Sequence, residues 1–272
     1  MRVPMVVLCP VVGLATLLTS CVRPADHASV PSVTSPRTSG PVQQLCQPQQ
    51  GSVGGPVDPD LRVGAIFLDD ATYHVCTGAV VHSFGGNLVL TAAHCLAGAS
   101  KIAFVPGFTG NAQPTDVWMA DAVYLDPRWV AGKDPHADYA IARVSSLAGG
   151  SVESRTGLAL TLGTAPPPGS FVTVMGYPSG VGGSPIGCQA MTSLTDSGYP
   201  SLRCEGLVGG TSGAPWVSGT TVTGLIGGLE GGGCAENVSF SAPFDEHVAE
   251  LLERANTGGP GDTVPKDVPN LC

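Results

Sequence analysis

The chain has 272 residues, 43% hydrophobic and 12% charged, with a formal charge of −9, and this is enough apolar content for one large domain or two small ones. So few charges together with 38 Gly and 24 Pro argue against coiled coils and helical bundles and favour short strands joined by turns. A net negative chain lacks the basic surface that nucleic-acid binding requires, so we expect no nucleic-acid partner.

Residues Met1–Ser20 have the features of an export signal. Arg2 supplies a positive charge, and the apolar stretch Val3–Leu18 is shorter than the roughly 20 residues that span a bilayer. It ends at Leu18-Thr19-Ser20-Cys21, which resembles the bacterial lipobox, where cleavage leaves a lipid-modified cysteine. We therefore predict a lipoprotein-type signal, with Cys21 anchoring the protein to the outer face of the cytoplasmic membrane. An ordinary cleaved signal and an uncleaved anchor are the alternatives.

Two polar or irregular segments flank a central domain, which we place at residues 60–256. Residues 21–59 are rich in Pro, Ser, Thr, Gly and Gln and cannot bury enough surface to offset their ordering entropy, so we predict a tether or pro-segment. Residues 257–272 form a Pro/Gly-rich tail. Between them, short apolar runs bounded by turn residues predict strands at Arg62–Leu68, Cys76–His82, Leu88–Ala92, Ile102–Val105, Ala120–Leu125, Tyr139–Val144, Phe171–Gly176, Pro215–Val217 and Thr221–Ile226.

One helix is predicted near the end of the central domain. Apolar residues recur with helical spacing at Val248, Leu251, Leu252 and Ala255. Two acidic residues precede them in the first turn, where the helix dipole favours negative charge. Many short strands followed by a single helix predict an all-β barrel or sandwich.

Nine cysteines in an exported chain predict disulfides. Cys9 leaves with the signal, and lipid on Cys21 would leave an odd number of thiols, which counts against lipidation. An oxidising compartment disfavours free thiolate ligands, and no CxxC pair has the spacing of a zinc site. We therefore expect no metal and no other cofactor.

Three segments contain residues suited to acyl transfer. His94 follows a buried-type strand in Thr91–Cys95, Asp138 opens an apolar run, and Ser212 lies within the small-residue run Gly209–Pro215. Hydrolysis of an acyl bond needs a hydroxyl nucleophile, a base and an acid that orients the base. Glycines beside the serine let backbone N–H groups approach an oxyanion. Each segment alone is more typical of a structural role, whereas the order His, Asp, Ser indicates a hydrolytic site.

The segments TAAHC, DYAIAR and GGTSGAPW resemble those of the trypsin-like (chymotrypsin-fold) serine peptidases, in the form of the bacterial and actinobacterial secreted members. The resemblance covers about Val63–Glu253 and implies an all-β fold of two six-stranded antiparallel barrels with a C-terminal α-helix and the site in the cleft between the barrels. It implies a serine-type endopeptidase in which Ser212 attacks the scissile carbonyl, His94 takes its proton and Asp138 orients His94, through an acyl-enzyme. The N–H groups of Gly210 and Ser212 would form the oxyanion hole.

The resemblance also implies a disulfide between Cys76 and Cys95, which pins the loop of His94. The remaining pairings stay open. Cys204 is placed to pair with either Cys188 or Cys234, and Cys46 with Cys272 would close the termini.

Two features of the chain complicate the resemblance. Asp134 is a second candidate acid, and Asp138 is preferred because the family's acid directly precedes an apolar strand. Many members carry an Asp immediately before the nucleophile, which pairs with a newly cut N-terminal amine. Here that position is Thr211, and Arg62-Val63-Gly64-Ala65 is the nearest likeness to an activation site. We therefore predict activity that does not depend on such an ion pair.

The substrate pocket is predicted to be uncharged. Gly206 stands where trypsin-type members carry an Asp, and Leu207 stands where glutamate-specific relatives tend to carry a hydroxyl. The run Gly227–Gly233, which begins with Gly227, Gly228 and Leu229, is expected to form the pocket wall. This set favours an apolar or small P1 side chain. Acidic residues that would instead attract a basic P1 side chain are Glu205 and Glu230.

Two other classes of function compete with the enzyme. One is a catalytically silent, peptidase-like binding protein on the cell surface, and the other is a structural lipoprotein. All three triad candidates are present, which favours the enzyme. We expect a monomer that acts on protein or peptide substrates and meets the membrane only through its lipid.

Overall fold

Strands dominate the part of the chain that the structure describes, residues 51–180, 183–235 and 237–267 of a computed structural model. The strands are β1 (Ser52–Val53), β2 (Gly55–Pro56), β3 (Val63–Leu68), β4 (Cys76–Val81), β5 (Leu88–Thr91), β6 (Ile102–Pro106), β7 (Trp118–Leu125), β8 (Ala140–Ser145), β9 (Thr161–Leu162), β10 (Phe171–Gly176), β11 (Ile186–Leu194), β12 (Pro200–Leu202), β13 (Cys204–Glu205), β14 (Pro215–Ser218), β15 (Thr221–Leu225) and β16 (Ser239–Phe240). The predicted signal, Cys21, Cys46 and Cys272 lie outside the described residues.

Helices are few and short. The α-helices are α1 (Pro127–Gly132), α2 (Val152–Thr156) and α3 (Glu246–Thr257), and single 3₁₀ turns lie at His94–Leu96, Pro114–Asp116, Pro135–Ala137 and Leu229–Gly232. The last α-helix is the predicted one, and its first residue is preceded by Asp245, which accepts a hydrogen bond from the His247 backbone N–H. Within the described ranges no helix is long and apolar enough to cross a membrane.

Six strands close an antiparallel barrel, the first barrel, in the order β3-β4-β5-β8-β7-β6. Its interior is filled by large apolar side chains with almost no exposure, among them Leu90, Trp118 and Ile141, and burying each such side chain contributes about 1.5–3 kcal/mol. The same core continues to Val248 and Leu251 of α3. The helix therefore packs on the outside of the barrel and covers the face that β7 and β8 present to it.

The second half of the chain forms an open sheet, the second sheet, in the order β16-β12-β11-β10-β14-β15-β9, with β2 paired to β11. The all-β class with a C-terminal helix is confirmed, but the second six-stranded barrel is not closed among the described residues. Its edge strands β9 and β16 are two residues long and each pairs on one side only. These two edge strands are not paired with each other, so the sheet stays open over the described residues.

The tail after α3 is attached to the first barrel over its described part. Asp262 N donates to the Val123 carbonyl at 2.7 Å, and the Asp262 carboxylate accepts from Leu125 N and from Arg254. Gly98 N donates to the Pro265 carbonyl. Residues 258–267 thus cover the outside of β7, which the Pro/Gly-rich composition does not predict.

Candidate active site

His94 begins the 3₁₀ turn that directly follows β5. Ala92 and Ala93 between them are almost fully buried, so the chain turns inside the protein and carries the histidine to the surface of the first barrel. The side chain of His94 is 13% exposed. A disulfide between Cys76 and Cys95, with 6.0 Å between the Cα atoms, ties this turn to β4. That is the pairing implied by the resemblance.

Asp138 lies between the 3₁₀ turn Pro135–Ala137 and β8, and its side chain is 1% exposed. Its Oδ2 is 2.7 Å from His94 Nδ1, and its Oδ1 accepts a hydrogen bond from His94 N at 2.9 Å. Gly228 N donates to Oδ2 at 2.8 Å. The competing acid, Asp134, instead accepts hydrogen bonds within its own turn from His136. Of the two acids, Asp138 is the one that orients His94.

The His94–Asp138 pair has strongly interacting charges. Burial lowers the pKa of His94, but the negative charge and the hydrogen bond of Asp138 outweigh it and raise that pKa above its ordinary value. Burial raises the pKa of Asp138, but the charge of His94 and the hydrogen bonds from His94 and Gly228 lower it overall. Asp138 therefore stays ionised and supports a positive imidazolium.

Ser212 is held by a loop between β13 and β14. Its carbonyl accepts from Thr77 N at 2.8 Å, and the next residue, Gly213, donates to the Ile226 carbonyl at 2.7 Å. Gly213 has a φ of 81°, and a Cβ there would collide with the Thr77 carbonyl, so only glycine fits. Because Thr77 adjoins Cys76, whose disulfide partner follows His94, the serine loop is anchored beside the His94 turn.

Three polar groups of this loop have no acceptor or partner among the described residues. They are the Ser212 hydroxyl and the backbone N–H groups of Gly210 and Ser212. Gly210 has a φ of 94°, and a Cβ there would lie 2.7 Å from the Tyr177 carbonyl. Because neither N–H group has an acceptor among the described residues, both are available to bind an oxyanion. The Ser212 hydroxyl makes no hydrogen bond to His94 in this structure, a contact that often tightens only when substrate binds.

A cavity of about 150 Å³ opens beside Ser212. Its described lining holds no charged side chain and consists of Leu207, Val208, Gly209, Thr211, Ser212, Ile226, Gly231, Gly232, Gly233, Cys234 and Ala235. The acidic residues Glu205 and Glu230 are not part of this lining. The space nearest the nucleophile is thus lined by uncharged groups.

Four of the residues predicted for the pocket do not line this cavity. Gly206 lies against the Gly54 carbonyl, on the side of β1. Gly227 and Gly228 pack on Asp138, where a Cβ at Gly227 would be 3.2 Å from Asp138 Oδ2 and the Gly228 N–H donates to it. Leu229 begins the 3₁₀ turn that follows, and the cavity is lined instead by the residues from Gly231 onward. The first glycines of the predicted wall thus support the acid, and its last three residues, Gly231–Gly233, line the cavity.

The second disulfide settles one of the open pairings. Cys204 is bonded to Cys188, with 6.6 Å between the Cα atoms, and not to Cys234. Among the described residues, the one group with metal-ligand spacing is Cys76, His94 and Cys95. Its two sulfurs are joined to each other, so the group offers a metal no thiolate.

Two threonines support the serine loop through contacts that the sequence pattern does not predict. Thr77 lies inside a buried strand, yet its N–H holds Ser212 and its hydroxyl donates to the Gly210 carbonyl at 3.1 Å. Thr211 uses its hydroxyl to close the serine loop on the Val208 carbonyl at 2.7 Å. A threonine within an otherwise apolar strand was the only hint for the first, and it does not identify the partner.

Comparisons with known proteins bear on the fold and the family of this chain. A search of curated proteins found no match. Among solved structures, the protease Anisep from Arthrobacter nicotinovorans is 22% identical over 76% of this chain and all of its own, with a TM-score of 0.66. The thermostable serine protease AL20 from an extremophilic microorganism is 24% identical over 74% of this chain and 99% of its own, with a TM-score of 0.64.

A third solved structure, a Glu endopeptidase, is 14% identical over 76% of this chain and 97% of its own, with a TM-score of 0.62. At these identities the likeness shows the fold alone. The family is shown by the sequence itself, because residues 76–226, more than half of the chain, match the trypsin-like peptidase domain. This chain belongs to the trypsin-like peptidase family.

Proposed function

We propose that the protein is an exported serine endopeptidase in which His94, Asp138 and Ser212 form the catalytic triad. The observation that carries the proposal is the buried His94–Asp138 pair, 2.7 Å apart, next to a glycine-rich serine loop with two available N–H groups. The substrate is a protein or peptide chain, and the chemistry needs no cofactor. A chelator is therefore expected to leave the activity unchanged.

In the first half of the reaction the Ser212 hydroxyl attacks the scissile carbonyl and its proton moves to His94 Nε2. Asp138 fixes the tautomer through Nδ1 and stabilises the imidazolium that forms. The N–H groups of Gly210 and Ser212 stabilise the oxyanion, and losing one such donor costs about 3–4 kcal/mol in the barrier. His94 then protonates the leaving amine, and water releases the acyl group from Ser212 by the same steps.

The uncharged cavity beside Ser212 supports an apolar or small P1 side chain. Its volume of about 150 Å³ is small, and burying a charged side chain there would leave the charge without a partner among the described lining. In a panel of peptides that differ only at P1, we expect Ala, Val or Leu to be preferred. A strong preference for Arg or Glu would contradict this part of the proposal.

Activity is proposed not to need a new N-terminus at Val63. Thr211 closes the serine loop with its own hydroxyl, and Val63 N donates locally to the Asp60 carbonyl at 2.9 Å. Both groups thus already have a hydrogen-bond partner, and neither requires an ion pair. A mature chain that retains residues before Val63 should be as active as one that starts there. Activity found only in the chain beginning at Val63 would contradict this.

The proposed activity is tested by peptide hydrolysis with two variants. Ser212→Ala should abolish turnover of a peptide that the wild type cleaves. Ser179→Ala is the matched control, because Ser179 lies near the same loop but donates its hydroxyl to the His74 carbonyl. It should keep most of the activity. Equal loss in both variants would point to a damaged fold instead of a lost nucleophile.

A second candidate is a peptidase-like protein that binds a partner without cleaving it. One observation favours it: the Ser212 hydroxyl makes no hydrogen bond to His94 among the described residues. A silent binder would hydrolyse none of the peptides, and Ser212→Ala would bind the partner as well as the wild type does.

The site of action is proposed to be outside the cell, with Cys21 as a lipid anchor. The support is the sequence of the first 21 residues. Intact mass of the mature protein tests it, since an acylated Cys21 adds the mass of its lipid chains. An N-terminus without lipid would contradict the proposed anchor but not the proposed export.

A further inference from the structure

A second cavity, which we call the barrel pocket, lies on the outside of the first barrel and is not used by the proposed triad. Its volume of about 490 Å³ is more than three times that of the cavity beside Ser212 and falls in the range of ligand sites, roughly 300–1,000 Å³. It lies between the turn that follows β3 and the segment that joins β6 to β7. The two cavities share no lining residue among the described ones.

The floor of the barrel pocket is an apolar row that runs across three strands. Phe67 on β3 pairs with Ala103 on β6, which pairs with Met119 on β7. Outward-facing positions of an antiparallel sheet in water are usually polar. Here all three are apolar, and Met119 is 37% exposed. An apolar floor in a cavity of this size is typical of a ligand site.

Near the start of β3, the same face of the strand is covered by the second half of the fold. Val63 and Ala65 pack against Tyr177, with Met175 alongside, so the second sheet shields this part of the barrel. Phe67 lies at the margin of this cluster, half-buried, with its ring 5.2 Å from that of Phe108. The barrel pocket therefore adjoins the apolar cluster through which the two halves of the fold pack.

A chain of contacts joins the barrel pocket to the serine loop. The ring of Phe67 is 5.8 Å from that of His74, and the His74 carbonyl accepts from Ser179 Oγ at 3.1 Å. Ser179 N donates to the carbonyl of Gly209 at 2.8 Å, and Gly209 lines the cavity beside Ser212.

The rim of the barrel pocket carries two carboxylates and one ammonium. Asp69 accepts from Ser100 Oγ at 2.7 Å and from two backbone N–H groups, and these hydrogen bonds lower its pKa. Asp70 pairs with Lys101 at 2.5 Å. One negative charge is left over, so the rim complements a ligand with a basic group.

We propose that the barrel pocket binds the substrate polypeptide away from the cleaved bond, through apolar side chains followed by a Lys or Arg. The proposal rests on the proposed endopeptidase function and extends it to a second point of contact. The apolar side chains cover the Phe67–Ala103–Met119 row, and the basic group meets Asp69 and Asp70. Because this contact is remote from the reacting bond, it lowers KM for long substrates and leaves short ones unaffected.

Two quenched peptides with the same residues around the scissile bond test the proposal. The short peptide ends two residues after the bond, and the long one continues through a five-residue spacer to Leu-Leu-Lys. The wild type should show a KM about tenfold lower for the long peptide, and Met119→Glu should remove the difference without changing cleavage of the short one. Met191→Glu, at an exposed methionine on β11, is the matched control and should keep it.

A charge exchange keeps the test informative if Met119→Glu does not fold. Asp70→Lys should raise KM for the peptide ending in Lys and lower it for one ending in Glu. Equal KM values for long and short peptides in the wild type would overturn the barrel pocket while the peptidase stands. Binding of the labelled long peptide to Ser212→Ala, followed by fluorescence anisotropy and weakened by Asp70→Lys, would support the pocket even if no peptide were cleaved.

Discussion

The backbone N–H of Gly228 donates a 2.8 Å hydrogen bond to Asp138 Oδ2, although the two residues are 90 positions apart and belong to different halves of the fold. Asp138 precedes β8 of the first barrel, and Gly228 follows β15 of the second sheet. The acid is thus held from both sides of the cleft. Correct orientation of His94 therefore depends on how the two halves dock.

Gly228→Ala tests this bond. Gly228 has a φ of 86°, and a Cβ there would lie 2.6 Å from Ala242 N, so alanine must displace the backbone and weaken the bond to Asp138. We expect kcat/KM to fall about 10- to 100-fold, the cost of one charge-assisted hydrogen bond of about 1.5–3 kcal/mol. Gly169→Ala is the control, because Gly169 has a φ of 87° and open space at its Cβ position. Similar losses of activity in both variants would mean that strain, not the bond, is responsible.

The raised pKa of His94 determines the acidic side of the pH profile. His94 must be neutral to take the Ser212 proton, so kcat/KM should fall as the pH drops through a value above the ordinary 6.5 or so. Asp138→Asn should move this apparent pKa downward and cut the rate about 10⁴-fold. Asp134→Asn should do neither, since Asp134 bonds His136. An acidic limb that does not move in Asp138→Asn would contradict the pairing.

The raised pKa of His94 also makes the stability of the fold depend on pH. Because the folded pKa of His94 lies above its unfolded value, the pair stabilises the fold fully below about pH 6.5 and loses this contribution as the pH rises through the raised pKa. Denaturation midpoints of the wild type and Asp138→Asn, measured from pH 5 to 9, should converge toward high pH. A constant difference over that range would be the opposing result.

Removing either of the two described disulfides should cost similar stability, but only one of the two removals should lower activity. The two disulfides close loops of similar length, with sequence separations of 19 for Cys76–Cys95 and 16 for Cys188–Cys204, so replacing either pair by serine should cost about 3 kcal/mol. Only the first adjoins His94. Activity is compared at a temperature where both variants are folded. Only the variant without Cys76 and Cys95 should then show a large loss of kcat/KM. Equal residual activities would show that the His94 turn needs no such tie.

Acid sensitivity of the fold should depend on Asp126, away from the site. Burial raises the pKa of Asp126, but hydrogen bonds from Arg128 and Tyr139 outweigh it and lower the pKa to about 2. Tyr139 Oη donates at 2.7 Å. A lowered folded pKa stabilises the fold above about pH 4 and is lost as the pH falls toward 2. Melting curves should therefore show a smaller drop in Tm over that interval for Asp126→Asn than for the wild type, and an identical drop would disprove the assignment.

The local pattern of apolar residues was sufficient to predict the longer strands and the C-terminal helix. Every apolar run predicted as a strand forms one, and the helical spacing of Val248, Leu251 and Ala255 forms α3, since burial of one face determines each of these elements. The strands missed include β11, where Ile186–Leu194 alternates polar and apolar residues only in part, and the two-residue strands. Elements so short are determined by their partners, which no local window contains.

The sequence singled out the residues of the candidate site but not the groups that hold them in place. His94, Asp138 and Ser212 come from segments that can be found in the sequence, and the structure brings the first two into contact. The glycines at 227 and 228 were expected in the pocket wall and instead contact Asp138. Both roles require a residue without a side chain, so the residue type does not distinguish them. Only the path of the chain after β15 does.

Labelling with an active-site fluorophosphonate reports on Ser212 itself, because the reagent bonds only to a serine hydroxyl that is activated by its neighbours. We expect one adduct per wild-type chain, located at Ser212 by peptide mapping, with slow labelling of Asp138→Asn and none of Ser212→Ala. A wild-type protein that is folded and remains unlabelled, or an adduct on any other residue, would contradict the proposed role of Ser212.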